Sequence, residues 1–284
     1  KNFYQQLTLD FEPPLLHIHL VTDVPIHIRS ILFIPRKQER GLLQSRTDYG
    51  LKLYSKKILI QEYNKDLLPE HLRFVEGVVD SEDIPLNISR ETVQSNRIMR
   101  QIQRTLTNRV LKSLKELADN KPEDYGIFWE EFGAFIKQGI ATNPFDHDDL
   151  LPLLRFHSSE SGDALISLDT YIEHMPDDQE VIYYILGGSR NSVSRSPHLD
   201  YFRDQDIEVL YLLDPLDGFM MQTLKDYQDK PFQNVDDPEL ELPKKEETDT
   251  AEAVEQSEFN QLTARFKQVL GERVTEVRES KLLT

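Results

Sequence analysis

Apolar and polar residues alternate with a period of two through much of the first third of the chain. Residues 16–20 read Leu-His-Ile-His-Leu, and a similar run ends where Pro35 stops it. Such alternation is typical of strands that bury one face. The sequence therefore predicts a sheet built from segments 16–20, 26–34, 52–60 and 73–80.

The period changes to that of a helix near the middle of the chain. Apolar residues recur every three or four positions over 98–117, and Pro122 closes this segment. We expect Asn87 or Ser89 to cap the start of this long helix. A second helix over 128–136 carries a broad aromatic face, which we interpret as core packing.

Two continuous apolar runs, 181–186 and 207–213, predict a second group of buried strands. The helical segment between them implies a right-handed parallel crossover. Helices are also predicted over 168–175, with Ser167 as the cap, and over 217–227, while 150–156 is predicted to form a shorter one. The pattern as a whole indicates an α/β fold, with two α/β/α sandwich lobes joined by a helical spacer.

Composition narrows the classes of function. The chain of 284 residues has 33 basic and 50 acidic residues, a net charge of −17, and no cysteine. Nucleic-acid binders need a basic surface, so we expect no nucleic-acid partner. Disulfides and thiolate metal sites are excluded. No apolar stretch approaches the ~20 residues of a membrane span, so we expect no membrane partner.

An acidic run separates the last segment from the rest. Between residues 236 and 258 there are ten acidic side chains and two lysines, a net charge of −8. This composition predicts a linker. Beyond it, 259–270 reads as an amphipathic helix and 273–280 as a strand, too little to enclose a core. Because the chain also lacks an initiator methionine, we expect it to be part of a longer protein.

Two candidate metal sites are weak. His17, His19 and His27 could cluster on a sheet, but no acidic partner has suitable spacing, and exposed sheet histidines are the simpler interpretation. Residues 80–83 contain three acidic side chains, but a calcium loop needs glycine and glutamate at positions where this chain has Pro85 and Glu91. We predict no metal site.

Two candidate phosphate sites leave alternatives open. Gly187-Gly188 lies between a strand and a helix and could cradle phosphate, although a tight turn explains both glycines equally well. A stand-alone nucleotide or small-molecule binding enzyme is therefore one hypothesis, and an acidic scaffold is another. Arg90 follows an irregular turn, where its guanidinium could bind phosphate or form a surface salt bridge.

The segment Phe74–Glu91, FVEGVVDSEDIPLNISRE, closely resembles the signature of the ninety-kilodalton heat-shock protein family, including the bacterial high-temperature protein G type. The resemblance extends over most of the chain. Further short motifs stand in the family's order: Gly50–Tyr54, Ser196–Leu199, Gly218–Met221, Lys230–Phe232 and Gly271–Val274.

The resemblance implies a domain layout. Residues 1–119 would be the large α/β lobe of a middle domain with its catalytic loop, 120–157 a helical spacer, 158–230 a small α/β lobe, and 231–284 an acidic linker with the truncated start of an α+β C-terminal domain. The parent protein would be a cytoplasmic, ATP-hydrolysing chaperone that dimerises through C-terminal helices missing here.

The resemblance also assigns roles to residues. Arg90 matches an arginine that reaches the γ-phosphate of ATP in the N-terminal domain, Gln94 matches a glutamine of the same catalytic loop, and Asn87 shapes that loop. ATP and Mg²⁺ would be held by the N-terminal domain, so the chain alone is not expected to bind ATP tightly or hydrolyse it.

Client proteins are the other partners that the resemblance implies. Phe11 stands where relatives often have tryptophan and is the predicted aromatic contact with clients. Leu42 and Leu43 would replace the apolar residues of the family's client-facing loop after Pro35. Leu59 stands where many relatives carry an aromatic residue that contacts the N-terminal domain.

Overall fold

A computed structural model describes residues 2–24, 26–38, 49–84, 97–143, 147–238, 240, 256–270 and 274, with the side chains of 256–261 outside the description. Its α-helices are α1 (Asn2–Thr8), α2 (Arg97–Asn120), α3 (Pro122–Thr142), α4 (Leu168–His174), α5 (Arg190–Val193), α6 (Asp200–Asp204), α7 (Asp217–Thr223) and α8 (Gln256–Leu270). Its strands are β1 (Leu16–Thr22), β2 (Ile28–Ile34), β3 (Leu51–Ser55), β4 (Ile58–Asn64), β5 (Glu76–Asp80), β6 (His157–Ser158), β7 (Ile182–Leu186), β8 (Leu210–Leu212), β9 (Asp226–Tyr227) and β10 (Lys230–Asn234).

The first sheet has the order β1-β2-β5-β3-β4. Its pairs are antiparallel except for β3 and β5, which run parallel. Ile18, Leu32 and Val79 are buried on one face, while His17 and His19 are exposed on the other. The sheet predicted from alternating residues is therefore confirmed.

The prediction of one strand over 52–60 is wrong. The chain turns back at Lys56 and Lys57, whose φ angles are 51° and 66°, and it forms the β3–β4 hairpin. Two successive positive φ angles suit the right-handed twist of paired strands. Glycine or asparagine usually marks such a turn, and neither is present here.

The two central helices follow one another directly. Met99, Ile102, Leu106 and Val110 form the buried side of α2, as the apolar spacing predicted. The helix ends at Asn120, and Pro122 is the first residue of α3, where its missing N–H costs nothing. The predicted caps of α2, Asn87 and Ser89, lie outside the described residues.

The second sheet has the order β6-β8-β7-β10-β9. Strands β7 and β8 are parallel, which confirms the predicted parallel pairing, and β10 adds a second parallel pair beside β7. The helix expected over 217–227 ends at Thr223, and β9 follows it. The segment predicted as a short helix near 150–156 is a 3₁₀ helix over Asp148–Leu153.

A single cluster of buried apolar side chains runs from the first sheet through α2 and α3 to the inner face of the second sheet. A separate cluster, including Tyr183, Phe202 and Val209, covers the opposite face of the second sheet. The fold is thus mixed α/β with two sheets, as predicted. Among the described helices, none is both long and apolar enough to cross a membrane.

Candidate functional site

The predicted catalytic loop is described only by its two flanks. Asn87, Arg90 and Gln94 all fall within 85–96, outside the described residues. The last described residue before this segment is Ile84, and the first after it is Arg97 at the start of α2.

Hydrogen bonds fix the flank that precedes the loop. The buried hydroxyl of Ser55 donates to the Ile84 carbonyl at 2.5 Å, and the Ser81 N–H donates to the Tyr54 carbonyl at 3.2 Å. The Asp83 carboxylate accepts from the His27 N–H at 2.7 Å. The chain therefore enters 85–96 from a position bonded to β3 and to the turn before β2.

The flank that follows the loop carries a concentration of positive charge. The exposed side of α2 bears Arg97, Arg100, Arg104, Lys112 and Lys115, a set we call the basic face. None of these five side chains forms an ion pair within the described parts of the chain. In a chain of net charge −17, this helix carries a local excess of positive charge.

Leu59 lies close to the preceding flank. It pairs with Tyr54 across the β3–β4 hairpin, and the Tyr54 carbonyl is the one that accepts from Ser81. Leu59 is 47% exposed and its neighbour Ile58 is 54% exposed. Because neighbouring residues of a strand project to opposite faces, each presents a separate exposed apolar side chain, and Leu59 lies on the hairpin beside the entry to 85–96.

Phe11 lies on a surface turn whose backbone is held on both sides. The Asp10 carboxylate accepts from the Glu12 N–H at 2.9 Å and from the Tyr4 hydroxyl at 2.8 Å, while the Phe11 ring is 84% exposed. Leu42 and Leu43, the other predicted client contacts, lie outside the described residues.

Phe219 is a further exposed aromatic residue, and its exposure was not predicted from the sequence. Its side chain on α7 is 62% exposed, while the following Met220 and Met221 are buried. Phe219 stands in one of the motifs shared with the heat-shock family, but apolar periodicity in a seven-residue helix does not reveal which side faces solvent.

Beneath α7 lies a buried ion pair that the sequence did not predict. The Lys137 ammonium on α3 is 2.7 Å from Asp217 Oδ1, with side-chain exposures of 8% and 0%. Burial raises the pKa of Asp217, and the neighbouring Lys137 acts in the opposite direction. The Trp129 and Phe156 rings lie 5.7 Å and 5.5 Å from the ammonium.

The glycine turn shows a packing role. A Cβ atom at Gly187 would lie 2.1 Å from Val193 Cγ2, so a larger residue there would displace this buried valine, whereas nothing lies within 4 Å of a Cβ atom at Gly188. The Ser189 side chain already accepts from the Ser192 N–H at the start of α5, which has four residues. Nothing in this geometry supports the alternative of a nucleotide-binding enzyme.

One residue from each of the two weak metal candidates has another partner in the structure. The His27 ring lies 2.9 Å from Asp23, and the Asp80 carboxylate accepts from the Lys57 N–H at 3.3 Å. Within the described ranges, no group of three His, Cys, Asp or Glu side chains is placed to hold a metal ion.

Comparison with known proteins gives the family. The sequence profile described as Hsp90 protein matches residues 1–284. The chain is 40% identical to the Chaperone protein HtpG of Desulfitobacterium hafniense, over 100% of this chain and 46% of the relative. The proteins of the same name from Ruthia magnifica and Pseudoalteromonas translucida are 39% and 38% identical, again over 100% of this chain and 46% and 45% of the relatives.

The chain thus spans less than half the length of these curated relatives, and it matches their middle region. A profile match over the whole chain, together with such identities, leaves no room for a chance resemblance. The chain belongs to the Hsp90 family.

Proposed function

We propose that this chain is the middle segment of an ATP-dependent chaperone and that it supplies Arg90 to the γ-phosphate of ATP held by an N-terminal domain. One observation carries the proposal: the segment that contains Arg90 leaves a hydrogen-bonded flank at Ile84 and joins a helix whose exposed side is basic. A polyanionic triphosphate is attracted to such a surface in an otherwise acidic chain.

The chemistry proposed for Arg90 is electrostatic. A guanidinium held on a fixed frame stabilises the charge that develops on a phosphoryl group as it is transferred, and it needs no proton transfer to do so. In this proposal Gln94 aligns the loop against the nucleotide and Asn87 shapes it. ATP and Mg²⁺ belong to the N-terminal domain of the parent protein, which Leu59 contacts across the domain boundary.

We propose the domain division 1–119, 120–157, 158–230 and 231–284 for this segment, in a cytoplasmic parent protein that dimerises through C-terminal helices. The parent protein acts on client proteins, and the name of the relatives, Chaperone protein HtpG, supports this.

Client contacts are proposed at exposed apolar side chains. Phe11 and Phe219, at 84% and 62% exposure, are the most exposed aromatic rings among the residues whose side chains the structure describes. Large exposed aromatic rings bind apolar segments of partners through the area they remove from water. Leu42 and Leu43 are proposed to add to this surface.

The test is to add the chain to the separately produced N-terminal ATPase domain. The wild-type chain should stimulate ATP hydrolysis, and Arg90→Ala should abolish the stimulation. Arg195→Ala, an exposed arginine of the second sheet's helical layer, is the matched control and should behave as wild type. Equal stimulation by wild type and Arg90→Ala would overturn the proposed role.

A further inference from the structure

Helix α7 is attached to α3 near both of its ends. At the start of α7, Asp217 forms the buried ion pair with Lys137, 2.7 Å apart. At its end, the Thr223 hydroxyl donates to the Ala141 carbonyl at 3.4 Å. A helix of seven residues is too short to be stable alone, so these attachments and its buried methionines determine how it sits.

The turn leading into α7 is organised around the same carboxylate. Asp217 Oδ2 accepts from the Asp214 N–H at 2.9 Å, and Asp214 Oδ1 accepts from the Leu216 N–H at 2.8 Å. Asp217 therefore bonds to its own turn with one oxygen and contacts α3 with the other. Its position determines both the direction and the start of the helix.

A buried ion pair of this kind contributes little to stability. Removing two charges from water costs about as much as their attraction returns, and apolar replacements of similar volume are often as stable. An apolar pair, however, can slide, whereas an ion pair fixes where the two atoms meet. Lys137 lies between two aromatic rings and is the one charged residue on the buried side of α3. This placement favours orientation as what the pair provides.

Orientation of α7 decides what its outer side presents. Met220 and Met221 are 0% and 9% exposed, and Phe219 is directed outward at 62% exposure. A rotation of the helix by one residue, about 100°, would move the phenylalanine ring off this outer side.

We infer that Lys137 and Asp217 are positioning residues that hold Phe219 in the orientation in which it contacts clients. The inference rests on the proposed function, because it requires Phe219 to be a client contact. It adds that the binding strength of this contact is set by an ion pair on the far, buried side of α7.

The test measures the affinity of the chain for reduced, carboxymethylated α-lactalbumin, a permanently unfolded probe. Phe219→Ala should weaken binding about tenfold, the size expected of an aromatic anchor. The double variant Lys137→Met with Asp217→Asn removes both charges. The amide oxygen that it places at position 217 can still accept from the Asp214 N–H. This double variant should weaken binding by a similar factor, and Lys137→Arg, which keeps the charge, should bind as wild type.

The three changes combined should bind no more weakly than Phe219→Ala alone, because they act on one contact. Additive losses, or unchanged binding in the double variant, would overturn the inference while leaving the client contact standing. Unchanged binding in Phe219→Ala would overturn the client contact itself, and the inference with it.

A second measurement reports the order of α7 directly, without a client probe. The chain has no cysteine, so Phe219→Cys provides a single thiol for a spin label on the outer side of α7. Thr223→Val, which removes only the bond to Ala141, should increase the mobility of the label, and the double charge variant should increase it further. A label equally ordered in all three backgrounds contradicts the positioning role.

Discussion

Helices α2 and α3 follow one another with only Lys121 between them, yet the fold uses them in different ways. Helix α2 buries one side and presents the basic face on the other. Helix α3 is buried along most of its length, from Tyr125 to Ile140, and even its Lys137 is paired in the interior. Substitutions should therefore affect mainly stability in α3, and mainly electrostatics in the exposed half of α2.

The largest effect is expected from the aromatic core of α3. Phe128 is 0% exposed and its ring packs against Tyr125, Phe74 and Phe132, at centroid distances of 5.4 to 5.7 Å. Phe128→Ala should lower the free energy of unfolding by about 3–5 kcal/mol, through lost burial and the cavity left behind.

The matched control for Phe128→Ala is the same replacement at an exposed ring. Phe219→Ala should change the free energy of unfolding by less than ~0.5 kcal/mol. Both values come from urea unfolding followed by circular dichroism. Equal losses for the two variants would contradict the assignment of the α3 aromatic face to the core.

The next largest effect is a dependence of stability on pH, and it arises at the contact between α3 and the 3₁₀ helix Glu70–Leu72. Burial lowers the pKa of His71 to about 4 from an unfolded value of about 6.5. In the unfolded chain the His71 ring therefore binds a proton below pH ~6.5, whereas in the folded chain this ring stays neutral down to pH ~4. The free energy of unfolding therefore falls as the pH is lowered across this window, by at most about 3 kcal/mol.

Urea unfolding of wild type and His71→Leu between pH 7.5 and 4 measures this loss. The leucine variant removes the titrating ring, so its stability should fall less steeply with pH in the same window. Parallel curves would show that His71 does not titrate as its burial implies.

A smaller effect is expected where α3 approaches the same histidine. A Cβ atom at Gly139 would lie 2.7 Å from His71 Cγ and 2.9 Å from Leu150 Cδ1, whereas nothing lies within 4 Å at Gly126 of the same helix. Gly139→Ala should cost about 1–2 kcal/mol net of helix propensity, and Gly126→Ala should gain up to ~1 kcal/mol. Thermal unfolding of the pair provides the test, and a gain at both positions would contradict the close packing.

The smallest effect is expected on the basic face. Arg104 is exposed and has no ion-pair partner among the described residues. Arg104→Ala should therefore change the free energy of unfolding by less than ~0.5 kcal/mol. A loss above 1 kcal/mol, measured by urea unfolding, would show that this side of α2 contributes to the fold.

Long helices with a regular apolar spacing could be predicted from the sequence, because buried apolar residues recur in each of their turns. The buried stripe of α2 and the aromatic face of α3 are of this kind, while the parallel pair β7–β8 was predicted from two continuous apolar runs. The β3–β4 hairpin could not be, because two lysines adopt the positive φ angles that glycine or asparagine normally signals.

The candidate site was less accessible to sequence reasoning. The role of Arg90 came from family resemblance, and it stays a prediction because its segment lies outside the described residues. The exposure of Phe219 and the burial of Lys137 depend on how α7 packs against α3, a tertiary contact with no local sequence signal. Charge and hydropathy alone would have placed Lys137 at the surface.

The most direct test of the account is the ATPase rate of the parent protein with Arg90 replaced. Arg90→Ala should lower kcat on the order of 10²-fold, as expected when a charged group that stabilises the transition state is lost, and Arg90→Lys should recover only part of the rate because the planar fork is missing. Arg195→Ala should retain the wild-type rate. Hydrolysis by Arg90→Ala at the wild-type rate would contradict the account.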